Sequence, residues 1–453
     1  MKIYNPASGQ VIDDVSEDAP EAIVRKVDAA RRAQPAWAAR PFAERAAILK
    51  RFRDLVVARK ETLAQILTRE VGKPITQARN ELNALPGRLD FFLANTERAL
   101  AEETVHSETG LVERIGFEPL GVVANISAWN YPWFVGSNVF FPALLTGNAV
   151  VYKPSELATL TGLAIRDLLH ESGVPAEVFA SAIGAASAGA ALLDAHIDSV
   201  CFTGSYATGR RIAESAGKRL IRVQLELGGK DPIYVADDVD VAAAAAAVAD
   251  GAFYNTGQSC CAVERIYVHE KIHDAFVQCF VAEVSRFKLG DPQDESTYIG
   301  PLTRAAQVGV LERQVQDALT KGAQLLLGGK RLDRPGNWFT PTVFDRADHT
   351  MELMREESFG PVIGIASVTD DDAALRLMND TEYGLTAGVY SQSQERAQRI
   401  LAGVHAGSAY WNCCDRVSPR LPWSGRGHSG LGSTLGTLGI RTFVQPKAWH
   451  LRG

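Results

Sequence analysis

A chain of 453 residues, 46% hydrophobic and 22% charged, has the composition of an ordinary soluble globular protein and the length for roughly two to four domains with large cores. A net charge of −6 without any basic block gives no electrostatic case for nucleic acid. No apolar run reaches the roughly 18 residues of a membrane helix, and MKIYNPASGQVIDD lacks an apolar signal core.

Residues 18–104 read as three helical segments, rich in Ala, Arg and Glu with apolar spacing near 3.6, the first turn beginning at Pro20 after Asp18. The β-branched, turn-punctuated stretch GLVERIGFEPLGVVANI follows at Gly110 to Ile126. Strands and helices then alternate: NAVVYK, a helix from about Glu156 to Glu171, VFASAI, a short Ala-rich helix, SVCFTG, a helix to about Lys218, and RVQLEL. Short apolar strands separated by helices imply a parallel sheet covered on both faces. The alternation resumes after Gly229 with PIYVA, a polyalanine helix at Val241 to Ala249, RIYV, and a helix through Phe280. The expected fold class is therefore α/β, with two wound parallel-sheet units flanking the GGK at Gly228 to Lys230.

The six cysteines are Cys201, Cys260, Cys261, Cys279, Cys413 and Cys414. They show no disulfide or zinc-ribbon spacing, which predicts a reducing cytoplasm. Two of them are adjacent in GQSCC. Neighbouring thiols chelate a tetrahedral ion poorly, and a bridge between them is strained. What remains is a reactive thiol with a bystander, or two buried thiols acting as small hydrophobes.

Two literal motif matches lack their context. GRGHSG, Gly425 to Gly430, has the G-x-G-x-x-G spacing of a dinucleotide loop. It follows PRLPWS, however, and no acidic residue occurs after Asp415. HEKIH, His269 to His273, matches the zinc-protease motif, which needs both histidines on one helix. RIYV reads as a strand ending at His269, so the first histidine falls outside the helix. No metal is expected, and a zinc hydrolase stands only as an alternative.

A third match is a constellation. PLGVVANISAWNYPW, VVYKPSE, FTGSYATG, ELGGK, GQSC, EESFGP, WNCCD and LPWSGRGHSG occur in this order across almost the whole chain. Together they resemble the NAD(P)-dependent aldehyde dehydrogenase superfamily. The resemblance implies an enzyme that oxidises a small-molecule aldehyde to the acid, with NAD (NADP possible) as cofactor. It implies Cys260 as nucleophile, Glu226 as the base that activates water, and Asn130 as oxyanion donor. Both Cys260 and Glu226 are present, which argues against a catalytically silent structural relative; Glu226 also argues against transfer to CoA.

For the cofactor, the resemblance points to Trp129, Lys153, Ser155, Glu156, Gly204, Ser205, Gly209, Leu227, Glu357 and Phe359. Ala128 stands where the family commonly has proline, and GAASAG (Gly184 to Gly189) departs from the usual spacing. For the substrate, Tyr131, Tyr254 and Trp423 fall on three positions of an aromatic box in the betaine- and amino-aldehyde branch, the fourth being Asn138. Such faces hold an ammonium group. An ordinary hydrophobic tunnel, or a semialdehyde held by Arg416 or Arg420, are the other readings. The implied organisation is a cofactor domain at 1–100 and 120–228, a catalytic domain at 229–435, and a small β oligomerisation element at 101–119 and 436–453. That element would join subunits into a homodimer or homotetramer.

Overall fold

The computed structural model describes residues 1–453. Three long helices, Pro20–Ala38, Phe42–Val71 and Ile75–Ala99, occupy the region expected to be helical. Pro20 opens the first, where its missing N–H costs no hydrogen bond. Gly72 ends the second at φ 83, a left-handed conformation that glycine adopts without a Cβ penalty. The third buries Ala78, Leu82, Leu85, Leu89 and Phe92, a stripe at helical spacing.

The first sheet takes the strand order 430–431, 222–226, 199–203, 122–126, 149–153, 179–181. All neighbours are parallel except the first, where Gly430 pairs antiparallel with Glu226. Chain order therefore reverses between 122–126 and 199–203. In wound sheets, a ligand crevice opens at such a reversal, outside the carboxyl ends of the strands. The strand interiors are buried throughout, consistent with helices on both faces.

The second sheet runs 324–327, 342–345, 362–368, 265–269, 232–235, 386–390, 408–411, parallel except at its first strand. A third, antiparallel sheet pairs Val444–Arg452 with Leu111–Pro119, and that strand with Glu103–Glu108, whose side chains are all exposed. No helix is long and apolar enough to cross a membrane.

Several boundaries move. The helix expected from Glu156 starts at Thr159, and that expected to end at Ala249 runs to Phe253. Near the boundary expected at 435, the chain packs against the first unit. Trp423 and Leu435 pack in the first core, Gly430–Leu431 extends the first sheet, and the Gly436–Arg441 helix lies against Ile75–Ala99 through Arg441 Nε on the Ala99 carbonyl at 2.9 Å. His269 ends its strand and His273 begins the next helix. They sit beside Asp237 and Asp345 respectively, and no cluster of metal-ligating side chains forms. GRGHSG is a loop with a single 3₁₀ turn.

Candidate active site

Between the two wound units lies a cleft of about 1060 Å³. Ile126, Thr203 and Glu226 end adjacent strands of the first sheet, so the residues after them converge on its mouth. The walls carry Trp129, Asn130, Lys153, Ser155, Glu156, Gly204, Ser205, Glu226, Leu227 and Cys260, with Glu357 and Phe359 from the second unit. Gly209 does not face the cleft. A Cβ there would stand 2.5 Å from Leu227 Cδ2, so its smallness lets the Tyr206–Gly217 helix close on Leu227.

The Cys260 segment is held in an unusual backbone. Asn255, Thr256 and Gly257 are successive left-handed residues at φ 53, 60 and 70. The two non-glycines each cost about 1–3 kcal/mol, so the surroundings must fix them. Asn255 Nδ2 donates to the Gln258 carbonyl at 3.0 Å and to the Asn130 carbonyl at 3.3 Å. Asn130 Nδ2 donates to the same Gln258 carbonyl at 3.2 Å. This lattice locks Asn130 to the turn two residues before Cys260. An amide nitrogen carries two N–H donors, so one remains for a ligand.

The adjacent cysteines differ. Cys260 is half-buried on the cleft wall, whereas Cys261 is buried in the first core with Sγ on Asp415 Oδ1 at 3.0 Å. The neighbouring Cys260 thiol, burial and the Asp415 carboxylate all push the Cys261 thiol well up. It stays protonated and packs.

Glu226 is buried, and burial pushes its carboxyl up to about 7 against the opposing bond from Thr434 and the nearby Arg88 charge. Thr434 Oγ1 and Gln224 Nε2 donate to its Oε1. A carboxyl poised near neutrality can exchange a proton with water in the cleft.

Across the cleft, the buried Lys230 ammonium pairs with Glu264 at 2.6 Å, and Glu264 accepts from the Ser358 and Phe359 N–H groups. This holds Phe359 at φ 45, edge-on to Trp129 with ring centroids 5.5 Å apart. Glu357 Oε1 accepts from Gly229 N at 3.1 Å, and burial pushes this carboxyl up to about 8. A Cβ on Gly228 would collide with that carboxylate.

The far end of the cleft fits an adenine dinucleotide. Lys153 is buried, with Nζ on the Pro154 carbonyl at 3.0 Å and the exposed Glu156 carboxylate 3.7 Å away. Ser205 opens the Tyr206–Gly217 helix without capping it, so free N–H groups and the helix dipole face the cleft. Ala185, Ala186, Gly189 and Leu193 give the wall small and apolar side chains here, so the GAASAG stretch does line the site.

Tyr131, Tyr254 and Trp423, like Arg88 and Asn138, lie off the wall of this cleft. Tyr131 and Tyr254 lie near Asp415, whose charge acts on both hydroxyls. Lys73 Nζ, fully buried and 2.5 Å from Glu81 Oε2, sits 3.7 Å from the Tyr131 ring centroid and covers one face. Tyr254 takes a bond from Asn80 Nδ2 at 3.1 Å. Trp423 is buried and bridges backbone to backbone with Thr434, and no ring pairing links it to the two tyrosines. Arg416 and Arg420 lie towards solvent, Arg416 donating to the Asp415 carbonyl. The buried charges Lys73, Glu81 and Arg88, and the half-buried Asp415, were not singled out in the sequence.

Residues 1–449 match the aldehyde dehydrogenase family. A betaine aldehyde dehydrogenase from Cereibacter sphaeroides is 36% identical over the whole chain and 93% of its own length. Among solved structures, an NAD-dependent aldehyde dehydrogenase from Sinorhizobium meliloti superposes with a TM-score of 0.97 at 36% identity, covering all of this chain and 91% of its own. An NADP-dependent enzyme from E. coli superposes equally well, TM-score 0.97, at 31% identity over all of this chain and 94% of its own. The chain belongs to the aldehyde dehydrogenase family, enzymes that oxidise an aldehyde to an acid with NAD(P).

Proposed function

We propose that Cys260 attacks the aldehyde, Asn130 steadies the oxyanion and Glu226 activates the water that releases the acid. The carrying observation is that these three side chains share one cleft wall while Cys261 is turned into the core. Thiolate addition gives a thiohemiacetal on Cys260, with its oxyanion facing the free Asn130 N–H. The chemistry a bound NAD or NADP supplies is acceptance of hydride from that carbon, leaving a thioester on Cys260. Glu226, as carboxylate, takes a proton from water, and the hydroxide so formed releases the acid and the free thiol.

Lys153, Ser155 and Glu156 are placed to hold the adenosine ribose, Gly204 and Ser205 the pyrophosphate, and Trp129, Leu227, Glu357 and Phe359 the nicotinamide end. The Sinorhizobium relative is NAD-dependent and the E. coli one NADP-dependent. A carboxylate at Glu156 supports NAD, because it repels a 2′-phosphate. The similarity to a betaine aldehyde dehydrogenase supports a cationic substrate. Lys73, which covers one face of Tyr131, speaks against carrying its substrate over. The exposed strand Glu103–Glu108 offers an edge for a second subunit, and six free cysteines suit a reducing cytoplasm.

A panel of aldehydes assayed with NAD and with NADP by absorbance of the reduced coenzyme tests the reading. Turnover in the wild type and none in Cys260→Ala supports it. Wild-type turnover in that variant overturns it.

A further inference from the structure

Arg88 is a buried cation near Cys260 that the proposed mechanism leaves without a task. It sits on the Ile75–Ala99 helix, in register with the buried stripe of Leu85 and Phe92, and is 6% exposed. Nη1 donates to Asn138 Oδ1 at 2.7 Å, and the guanidinium carbon lies 4.3 Å from the Phe134 ring centroid. Phe134 runs parallel to Tyr131, the neighbour of Asn130, with centroids 6.0 Å apart. Cys260, Cys261, Glu226 and Glu81 all lie close enough to act on its charge.

A guanidinium carries five N–H donors in a fixed fork. Only Nη1 has an acceptor; Nε and Nη2 have none, and neither is sealed off by packing. No carboxylate forms an ion pair with it. Glu81 is taken by Lys73 at 2.5 Å and by Trp133 N at 3.0 Å. Glu226 is taken by Thr434 and Gln224, and Asp415 by Ser259 and Cys261. Burial lowers Arg88 to about 10, which leaves it cationic at neutral pH. A buried, unpaired cation is costly unless something anionic arrives to meet it. Asn138 and Phe134 meanwhile orient the fork.

We propose that Arg88 determines specificity for aldehydes whose far end bears a carboxylate, its free Nε–H and Nη2–H pairing with that anion while the carbonyl carbon lies at Cys260. The inference rests on Cys260 as nucleophile. It replaces Arg416 and Arg420, the arginines expected for a semialdehyde, with one inside the protein. It also explains Asn138 at the box position where an aromatic was expected: the amide oxygen holds the guanidinium.

The test compares succinate semialdehyde, its neutral methyl ester and 4-aminobutanal in the wild type, Arg88→Met and Arg88→Lys. The wild type should favour the semialdehyde over the ester in kcat/KM. Arg88→Met should lose on the order of 10- to 100-fold of that preference, the range for a charge-assisted hydrogen-bonded pair, mainly through KM. Ester turnover, compared on the high-pH plateau where Glu226 is ionised with or without the Arg88 charge, should stay within a few-fold, and Arg88→Lys should recover part of the preference. Succinate, a non-reacting probe, should slow alkylation of Cys260 by iodoacetamide in the wild type but not in Arg88→Met. Equal loss on semialdehyde and ester would make Arg88 a positioning residue for Cys260 or Glu226 and overturn the proposal. So would a wild type that oxidises all three alike, leaving the Cys260 mechanism intact. Absence of turnover on every aldehyde would instead count against that mechanism.

Discussion

The two sides of Cys260 are built differently. The cofactor side is assembled from strand ends, a helix start and backbone groups: Ser127 to Asn130 after one strand, Gly204 and Ser205 after another, Glu226 at the end of a third. The opposite side is assembled from side chains: Lys73, Glu81 and Arg88 around the Ile75–Ala99 helix, Tyr131 and Asn138 around Pro132–Leu145, and Asp415 from a distant loop. A site made of backbone is fixed by fold and changes little with sequence. A site made of side chains is free to vary with the substrate, so on the proposed reading chemistry and specificity are carried by different parts of the molecule.

The largest effect expected is at the shared centre. Cys260→Ala should lower kcat by roughly 10⁴-fold or more, the scale seen when a nucleophile is removed, with coenzyme binding retained. Cys261→Ala should keep activity within a few-fold, since its thiol faces Asp415. Steady-state kinetics and coenzyme titration read both, and a dead Cys261→Ala beside an active Cys260→Ala would exchange the two assignments. Next, Asn130→Ala should cost about 10²–10³ in kcat, the range for one oxyanion donor. Less than a few-fold would remove it from that role.

The pH profile separates the base from the rest. Burial raises Glu226 to about 7 and its carboxylate is the active form, so kcat should fall as pH drops through about 7 and level off above. A flat profile from pH 5 to 8 in deacylation-limited turnover would contradict the assignment. The smallest effect belongs to the cofactor side. Glu156→Gln should move the NAD-to-NADP ratio of kcat/KM towards NADP by about tenfold or less, because the carboxylate is half exposed and screened. An unchanged ratio would mean that Glu156 does not meet the ribose.

The cofactor side was legible because its residues come as contiguous motifs at strand-to-helix turns, where chain order and spatial order agree. VVYKPSE and FTGSYATG each bring a strand end and its loop as one unit. The substrate side was not, because its residues are drawn together from positions 73 to 415. A signal did exist: Glu81 and Arg88 fall at helical spacing on the buried stripe that includes Leu85 and Phe92, and charges on such a stripe need partners. The aromatic box is a related case. Position alone placed Tyr131, Tyr254 and Trp423, but whether their faces are free depends on Lys73 and on the Trp423–Thr434 bridge, which no local pattern reveals. The two-residue strand Gly430–Leu431 was not foreseen, because it is too short to carry periodicity.

The central claim is that Cys260 carries the acyl group and Glu226 governs its release. Glu226→Gln, mixed with aldehyde and coenzyme and quenched, should show the mass of one acyl group added to the intact chain. Proteolysis should map it to the peptide containing Cys260 and Cys261, with fragmentation placing it on Cys260. An adduct on Cys261, or turnover at the wild-type rate without any adduct, would contradict the account.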